Sequence, residues 1–193
     1  MNSEEQFIQA KHNALASLQK AKKKKEVDPQ ILPLLELINN DQKLYSTSSC
    51  AGRITLMQLP RVGDKKNAEF LGKWHRTITF EDFNLAVTNY TKGLLWFLTQ
   101  SPIFHVGVKD FDYANKFIKQ AVQSGFKNTI FKSTDPKIIV EVCSTERIDA
   151  PIGKEGVLLC NETYIHYLIT LANDLWNRSA KKLLRLHRNL ENI

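Results

Sequence analysis

The sequence predicts an α+β fold: a mixed, mostly antiparallel sheet flanked by helices, with long helices in its N- and C-terminal stretches. Three observations lead there. The first and last stretches repeat apolar residues at helical spacing, the middle alternates at period two in short runs, and most of those runs are separated by turn-forming clusters. With no linker, repeat or low-complexity tract, the 193 residues read as a single domain, 1–193, large enough for a sizeable core.

Phe7, Ala14, Leu15, Leu18 and Ala21 share one helical face and predict a helix near 3–24. Lys22–Lys25 close it, as cations favouring the helix dipole or as a phosphate-contacting patch. Asp28-Pro29 then reads as a cap followed by proline at the first helical position, with Ile31, Leu34, Leu35 and Ile38 facing a core and Asn39-Asn40-Asp41 as the stop. From Lys43 the period changes. Strands are expected near 44–48, 53–59 and 68–75, with Arg61-Val62-Gly63-Asp64 and the lysines after it as a turn. Thr79-Phe80-Glu81-Asp82 has the spacing of a capping box, with Asp for the usual Glu, and opens a helix bearing Phe83, Ala86, Val87 and Tyr90. Strands at 94–99 and 103–108 flank Gln100-Ser101-Pro102. Asp110 caps a helix that buries Ala114, Phe117, Ile118, Ala121 and Val122, and Gly125 falls where a left-handed residue ends one. Strands at 129–133, 137–143, 146–151 and 155–159 precede a helix from Asn161 to about Asn189, with Tyr164, Leu168, Leu171, Leu175, Leu183, Leu186 and Leu190 near heptad spacing.

Composition narrows the function. Forty-two per cent hydrophobic and 24% charged residues are ordinary for a soluble globular chain. The longest dense apolar stretch, Gly93–Leu98, is strand-length, and Met1-Asn2-Ser3-Glu4-Glu5 lacks a signal-peptide pattern, so a cytoplasmic protein without a membrane partner is expected. Cys50, Cys143 and Cys160 are odd in number and unpaired in spacing, which argues against a disulfide framework and a zinc site; no metal is expected. A net charge of +7 and a pI near 9.3 suit a polyanionic partner. A dinucleotide fingerprint, a P-loop and metal ligands at helical spacing are all missing, so a Rossmann-type methyltransferase, a P-loop ATPase and a simple metallohydrolase lack local support.

The segment least like scaffold is Ser46-Thr47-Ser48-Ser49-Cys50-Ala51-Gly52-Arg53-Ile54. A tight loop rich in hydroxyls lets backbone N–H groups converge on an anion while Arg53 offers a bidentate fork; a polar hairpin loop with a solvated Arg53 is the plainer alternative. Cys50 is a candidate nucleophile or a small packing residue. His105, within Phe104-His105-Val106, and His75, after Gly72-Lys73-Trp74, are titrating groups or hydrogen-bonded structure. His12, His166 and His187 read as surface. Glu141 interrupts Ile138-Ile139-Val140-Glu141-Val142 and must face solvent or have a partner.

Ser48-Ser49-Cys50-Ala51-Gly52-Arg53-Ile54 resembles the signature of the tRNA wybutosine-synthesising protein 3 family. Val27-Asp28 and the helix ending Ile38-Asn39, His105-Val106, Ala114, Ala121 and Ser124-Gly125-Phe126-Lys127-Asn128 are similar to further blocks of that family. So are Ala150-Pro151-Ile152, Glu162, Tyr164 and Ala172-Asn173, and together the blocks span nearly the whole chain. The resemblance implies an S-adenosylmethionine-dependent tRNA methyltransferase acting on a ring nitrogen, position 4 of the imidazopurine, of the wybutosine precursor beside the anticodon of phenylalanine tRNA. His105, Ser49 and His75 are then the catalytic candidates, with His105 favoured as the base. Ser48, Ser124, Gly125 and Asn173 are candidates for the donor, and Arg53, Gly52, Lys127 and Lys73 for the tRNA. Trp74 and Phe126 are further candidates for stacking on the base. A monomer is expected. A non-enzymatic RNA-binding module and a Cys50-based thiol enzyme are the alternatives.

Overall fold

The computed structural model describes residues 3–64 and 66–191. Lys65, part of the turn expected after Asp64, lies outside them. The chain divides into two compact units: Met1–Ala51 with Pro102–Thr145 and Ala180–Ile193, and Gly52–Ser101 with Glu146–Ser179. The elements run α1 (Ser3–Lys23), α2 (Leu32–Asn40), β1 (Leu44–Cys50), β2 (Arg53–Leu59), β3 (Glu69–Trp74), α3 (Phe80–Val87), β4 (Leu94–Gln100), β5 (Ile103–Val108), α4 (Phe111–Gln123), β6 (Ile130–Ser133), β7 (Ile138–Cys143), β8 (Ile148–Lys154), β9 (Val157–Leu158) and α5 (Glu162–Leu190). The α+β class and the long flanking helices are as the sequence predicts. The strands, however, form two sheets rather than one, and every pairing among the described residues is antiparallel. That pattern is incompatible with a doubly wound parallel sheet.

The first unit contains a four-stranded sheet in the order β1-β5-β7-β6. Alternation sorts its side chains: Phe104, Val106, Val140 and Val142 point into a core with Ile31, Leu34, Leu35 and Ile38 of the α2 region, Ala114, Phe117 and Ala121 of α4, and Leu183, Leu186 and Leu190 of α5. On the opposite face α1 lays Phe7 and Ala10 against Tyr45 of β1. The Tyr45 ring sits over Gly107 so closely that a Cβ there would come within 2.1 Å of it. At that end α1 covers this side of the sheet. Ser48 and Ile103, further along, are exposed.

The second unit holds the sheet β3-β2-β4-β8-β9, one face of which packs Ile54, Leu56, Leu95, Phe97 and Ile152 against Phe83 and Ala86 of α3 and Ile165, Leu168, Ile169, Ala172 and Trp176 of α5. The capping box is present: Asp82 N–H donates to Thr79 Oγ1 and Thr79 N–H to Asp82 Oδ2. Two expectations about the second helix need correction. The chain enters it through a 3₁₀ turn, Pro29–Ile31, and the Asp28 side chain makes no cap bond there. Its Oδ2 instead accepts from the Ala51 N–H at 2.7 Å, so a carboxylate that local spacing marks as a cap fastens the end of the hydroxyl-rich segment.

Candidate active site

The hydroxyl-rich segment is mostly strand: Ser46 to Cys50 complete β1, and only Ala51 and Gly52 turn the chain into β2, Gly52 with φ of 92°. A bulge between Ser46 and Ser48 shifts the register and brings Ser48 opposite His105, with Ser49 opposite the buried Phe104. Thus Ser48, not its neighbour, shares a face with the histidine. Its Oγ lies 2.9 Å from His105 Nδ1. On the other side His105 pairs in register with Glu141 of β7, and His105 Nε2 lies 2.7 Å from Glu141 Oε2. Lys132 of β6 reaches the same oxygen at 3.0 Å. Four strands therefore present a hydroxyl, an imidazole, a carboxylate and an ammonium in one line across the sheet. The His105 ring and the Glu141 side chain are partly buried, and the Ser48 end is exposed.

Hydrogen bonds from His105 first and Lys132 second hold the Glu141 carboxyl below the usual carboxylate range, against a smaller opposing effect of burial. An ionised carboxylate only accepts, so Nε2 carries the hydrogen of that contact and Nδ1 of the neutral ring is left to accept from Ser48. The arrangement can take a proton at the exposed hydroxyl and hold the resulting charge beside a carboxylate.

The other candidates fall into place unequally. Ser124 is fully buried; its hydroxyl donates to the Gln120 carbonyl and accepts from Asn189 Nδ2. Gly125, at φ 103°, completes a Schellman cap in which Gly125 N–H meets the Val122 carbonyl and Phe126 N–H meets that of Ala121. Phe126 is wholly buried, 5.7 Å edge-on from Phe104, so it has no face to offer a base. The block that reads as a ligand contact is thus a helix terminus plugged into the core, with exposed Lys127 just after it. In the second unit, Asn173 bonds both to the N–H and to the carbonyl of Ile78 at 2.9 Å, which pins α5 to the segment before α3. Trp74 is half-buried, its ring over Gly72. Arg53 donates to Gln100, and its guanidinium lies 5.2 Å from the centre of the exposed Phe70 ring, with Lys73 at 6.0 Å. His75 follows β3 in the same unit. Sequence reasoning missed Lys132 and left the Glu141 partner unnamed; the acidic residue inside an apolar strand was the one available signal.

A basic α+β chain whose antiparallel sheet lines up a hydroxyl, an imidazole, a carboxylate and an ammonium carries groups suited to acid–base chemistry outside the parallel-sheet architectures. The family described as Methyltransferase TYW3 matches residues 9–192, and the chain belongs to it. It is 44% identical over 191 residues to the tRNA(Phe) 7-((3-amino-3-carboxypropyl)-4-demethylwyosine(37)-N(4))-methyltransferase 1 of Pyrococcus horikoshii, covering 98% of this chain and 97% of that one. To the protein of the same name from Thermococcus kodakarensis it is 43% identical, covering 98% and 96%. The solved PH1069 protein from Pyrococcus horikoshii superposes with a TM-score of 0.95 at 43% identity, covering 98% of each chain. A hypothetical protein from Aeropyrum pernix does so at 0.75 and 27%, covering 86% of this chain and 98% of that one.

Proposed function

We propose that this tRNA methyltransferase transfers the methyl group of S-adenosylmethionine to ring nitrogen 4 of the 7-(3-amino-3-carboxypropyl)-4-demethylwyosine base at position 37 of phenylalanine tRNA. The observation that carries the reading is full-length kinship, at 44% identity, with an enzyme named for that reaction. The His105 line supplies the chemistry the reaction needs, because the acceptor nitrogen must shed a proton as it gains the methyl group. Much of the remaining acceleration comes from holding donor and acceptor in line, where effective molarities reach about 10⁵ M or more. The open sheet face around Ser48, flanked by exposed Ile103 and Ile130, offers a floor for a flat base. Ser49 and Gly52 follow Ser48 closely in sequence. Lys127 of the first unit, and Arg53 and Lys73 of the second, each offer a charge to phosphates of the tRNA, whose anticodon loop is single-stranded and readable without melting a duplex. Among the described residues no helix is long and apolar enough to cross a membrane. A cytoplasmic monomer meets the needs of this reading.

Calorimetric titration with S-adenosylmethionine and its demethylated product, followed by transfer of labelled methyl to tRNA, tests the proposal. Micromolar donor binding is expected, with transfer to tRNA carrying the demethylated precursor and none to tRNA with unmodified guanine at that position. His105→Ala should retain donor binding and lose roughly 10²-fold or more in transfer rate. Absence of donor binding with and without tRNA would leave an RNA-binding module as the better account.

A further inference from the structure

We infer that Ser48 is the group that takes the proton from the acceptor nitrogen, relaying it to His105, and that Glu141 and Lys132 are positioning residues that set the tautomer and the basicity of that histidine. The inference rests on the methyl-transfer reading and adds the direction of proton flow. Four contacts carry it: Ser48 Oγ to His105 Nδ1 at 2.9 Å, His105 Nε2 to Glu141 Oε2 at 2.7 Å, Lys132 Nζ to that same oxygen at 3.0 Å, and the in-register pairing of the three strands bearing Ser48, His105 and Glu141. Both ring nitrogens are engaged, so a substrate meets the hydroxyl first. Ser48 at one end of the line is exposed, as is the Lys132 ammonium at the other, whereas the His105 side chain between them is 26% exposed and Glu141 16%. Of the two exposed ends only the hydroxyl touches the imidazole.

The bond from the acceptor nitrogen to the methyl carbon forms as the carbon–sulfur bond of the donor breaks, and that electron pair stays on sulfur, which becomes a neutral thioether. The N–H proton passes to Ser48 Oγ while the Ser48 hydroxyl proton passes to His105 Nδ1. The imidazole becomes an imidazolium, and Glu141 stabilises it through the hydrogen bond to Nε2. Lys132 acts in the opposite sense: it keeps Glu141 ionised but places a like charge near the ring. The charged groups facing His105 are thus Glu141 from β7 and Lys132 from β6, with neutral Ser48 from β1, among the described residues.

The test uses the full chain, S-adenosylmethionine and tRNA bearing the demethylated precursor, with single-turnover rates measured against pH and the His105 tautomer read by nitrogen-15 NMR. The wild-type ring should carry hydrogen on Nε2 and accept at Nδ1. Ser48→Ala should lower the rate by about 10²-fold while leaving that tautomer unchanged. Glu141→Gln should lower the plateau rate and move the acid limb of the profile down by about one pH unit, since a negative charge beside the ring is gone. Lys132→Met should move the acid limb up, by roughly half a unit because its ammonium is half exposed and screened. Opposite shifts with unchanged donor affinity are what a merely structural pair would not give. A wild-type ring protonated at Nδ1 overturns the relay. So does a Glu141→Gln enzyme with the wild-type rate and profile. A wild-type protein that binds the donor and transfers no methyl to the precursor fails the functional reading itself, which separates the two.

Discussion

Glu141 sits in a strand of apolar residues and shares one carboxylate oxygen between the His105 imidazole and the Lys132 ammonium. Such a carboxylate is a stability element whatever its part in the proposed site. Its ionised form is favoured in the folded protein, first by the His105 hydrogen bond and then by Lys132. In the unfolded chain it titrates near an ordinary glutamate value of about 4.3. Because the folded value is the lower one, the stabilisation is fully present above that pH and is lost as pH falls through the folded value. Asp82 behaves alike, depressed mainly by the Arg76 guanidinium and next by the Thr79 N–H. Urea midpoints measured from pH 7 down to pH 3 should therefore fall for wild type on the acid side, with part of the fall missing in Glu141→Gln and part in Asp82→Asn. Lys132 and Arg76 are each about half exposed, so the effect should weaken in high salt. Midpoints that fall identically in all three proteins would show that these carboxylates are not linked to folding.

Helix termini illustrate what local sequence can and cannot specify. At the end of α1, Lys25 N–H meets the Lys22 carbonyl and Glu26 N–H meets that of Ala21, a Schellman cap like the one at Gly125 but with lysine in the left-handed position at φ 58°. A Cβ in that conformation costs roughly 1 kcal/mol, part of which glycine returns through its freer unfolded chain. Lys25→Gly should thus stabilise by about 0.5 kcal/mol, read as a raised urea midpoint; a loss of stability would mean that the lysine side chain has a stronger role than its backbone strain. The Asp110 cap, the Thr79 box and the Gly125 stop were legible because each acts within four or five residues. The line of Ser48, His105 and Glu141 was not, since its members lie 57 and 36 residues apart and meet only through strand pairing. Alternation told which face each strand buries, but not which neighbour it takes, so two sheets read as one. The bulge that selects Ser48 over Ser49 leaves no mark in composition. Ser124 and Gly125, singled out within a distinctive block, sit at the C-terminal cap of α4, with the Ser124 side chain buried.

The charge of the whole molecule is unevenly divided. The unit that carries His105 holds 17 lysines and arginines against 11 acidic residues, and the second unit 10 against 9. Nearly all of the net charge of +7 therefore belongs to the unit that carries His105. Binding of a polyanion by such a unit releases condensed counterions, and affinity falls linearly on a log–log plot against salt, with a slope of about −0.7 to −0.9 per phosphate neutralised. For roughly four to six phosphates the slope is about −3 to −5, so the affinity for phenylalanine tRNA should drop by about two to three orders of magnitude between 50 and 200 mM salt. Lys127→Ala, exposed beside the Schellman cap of α4, should reduce the slope by close to one contact and weaken modified and unmodified tRNA equally. The rate of methyl transfer at saturating tRNA should stay constant over the same salt range, because the Ser48, His105 and Glu141 groups proposed to move the proton are already paired within the sheet. A slope near zero would locate recognition in contacts to the base alone, and a saturated rate that falls with salt would tie the phosphate contacts to the chemical step.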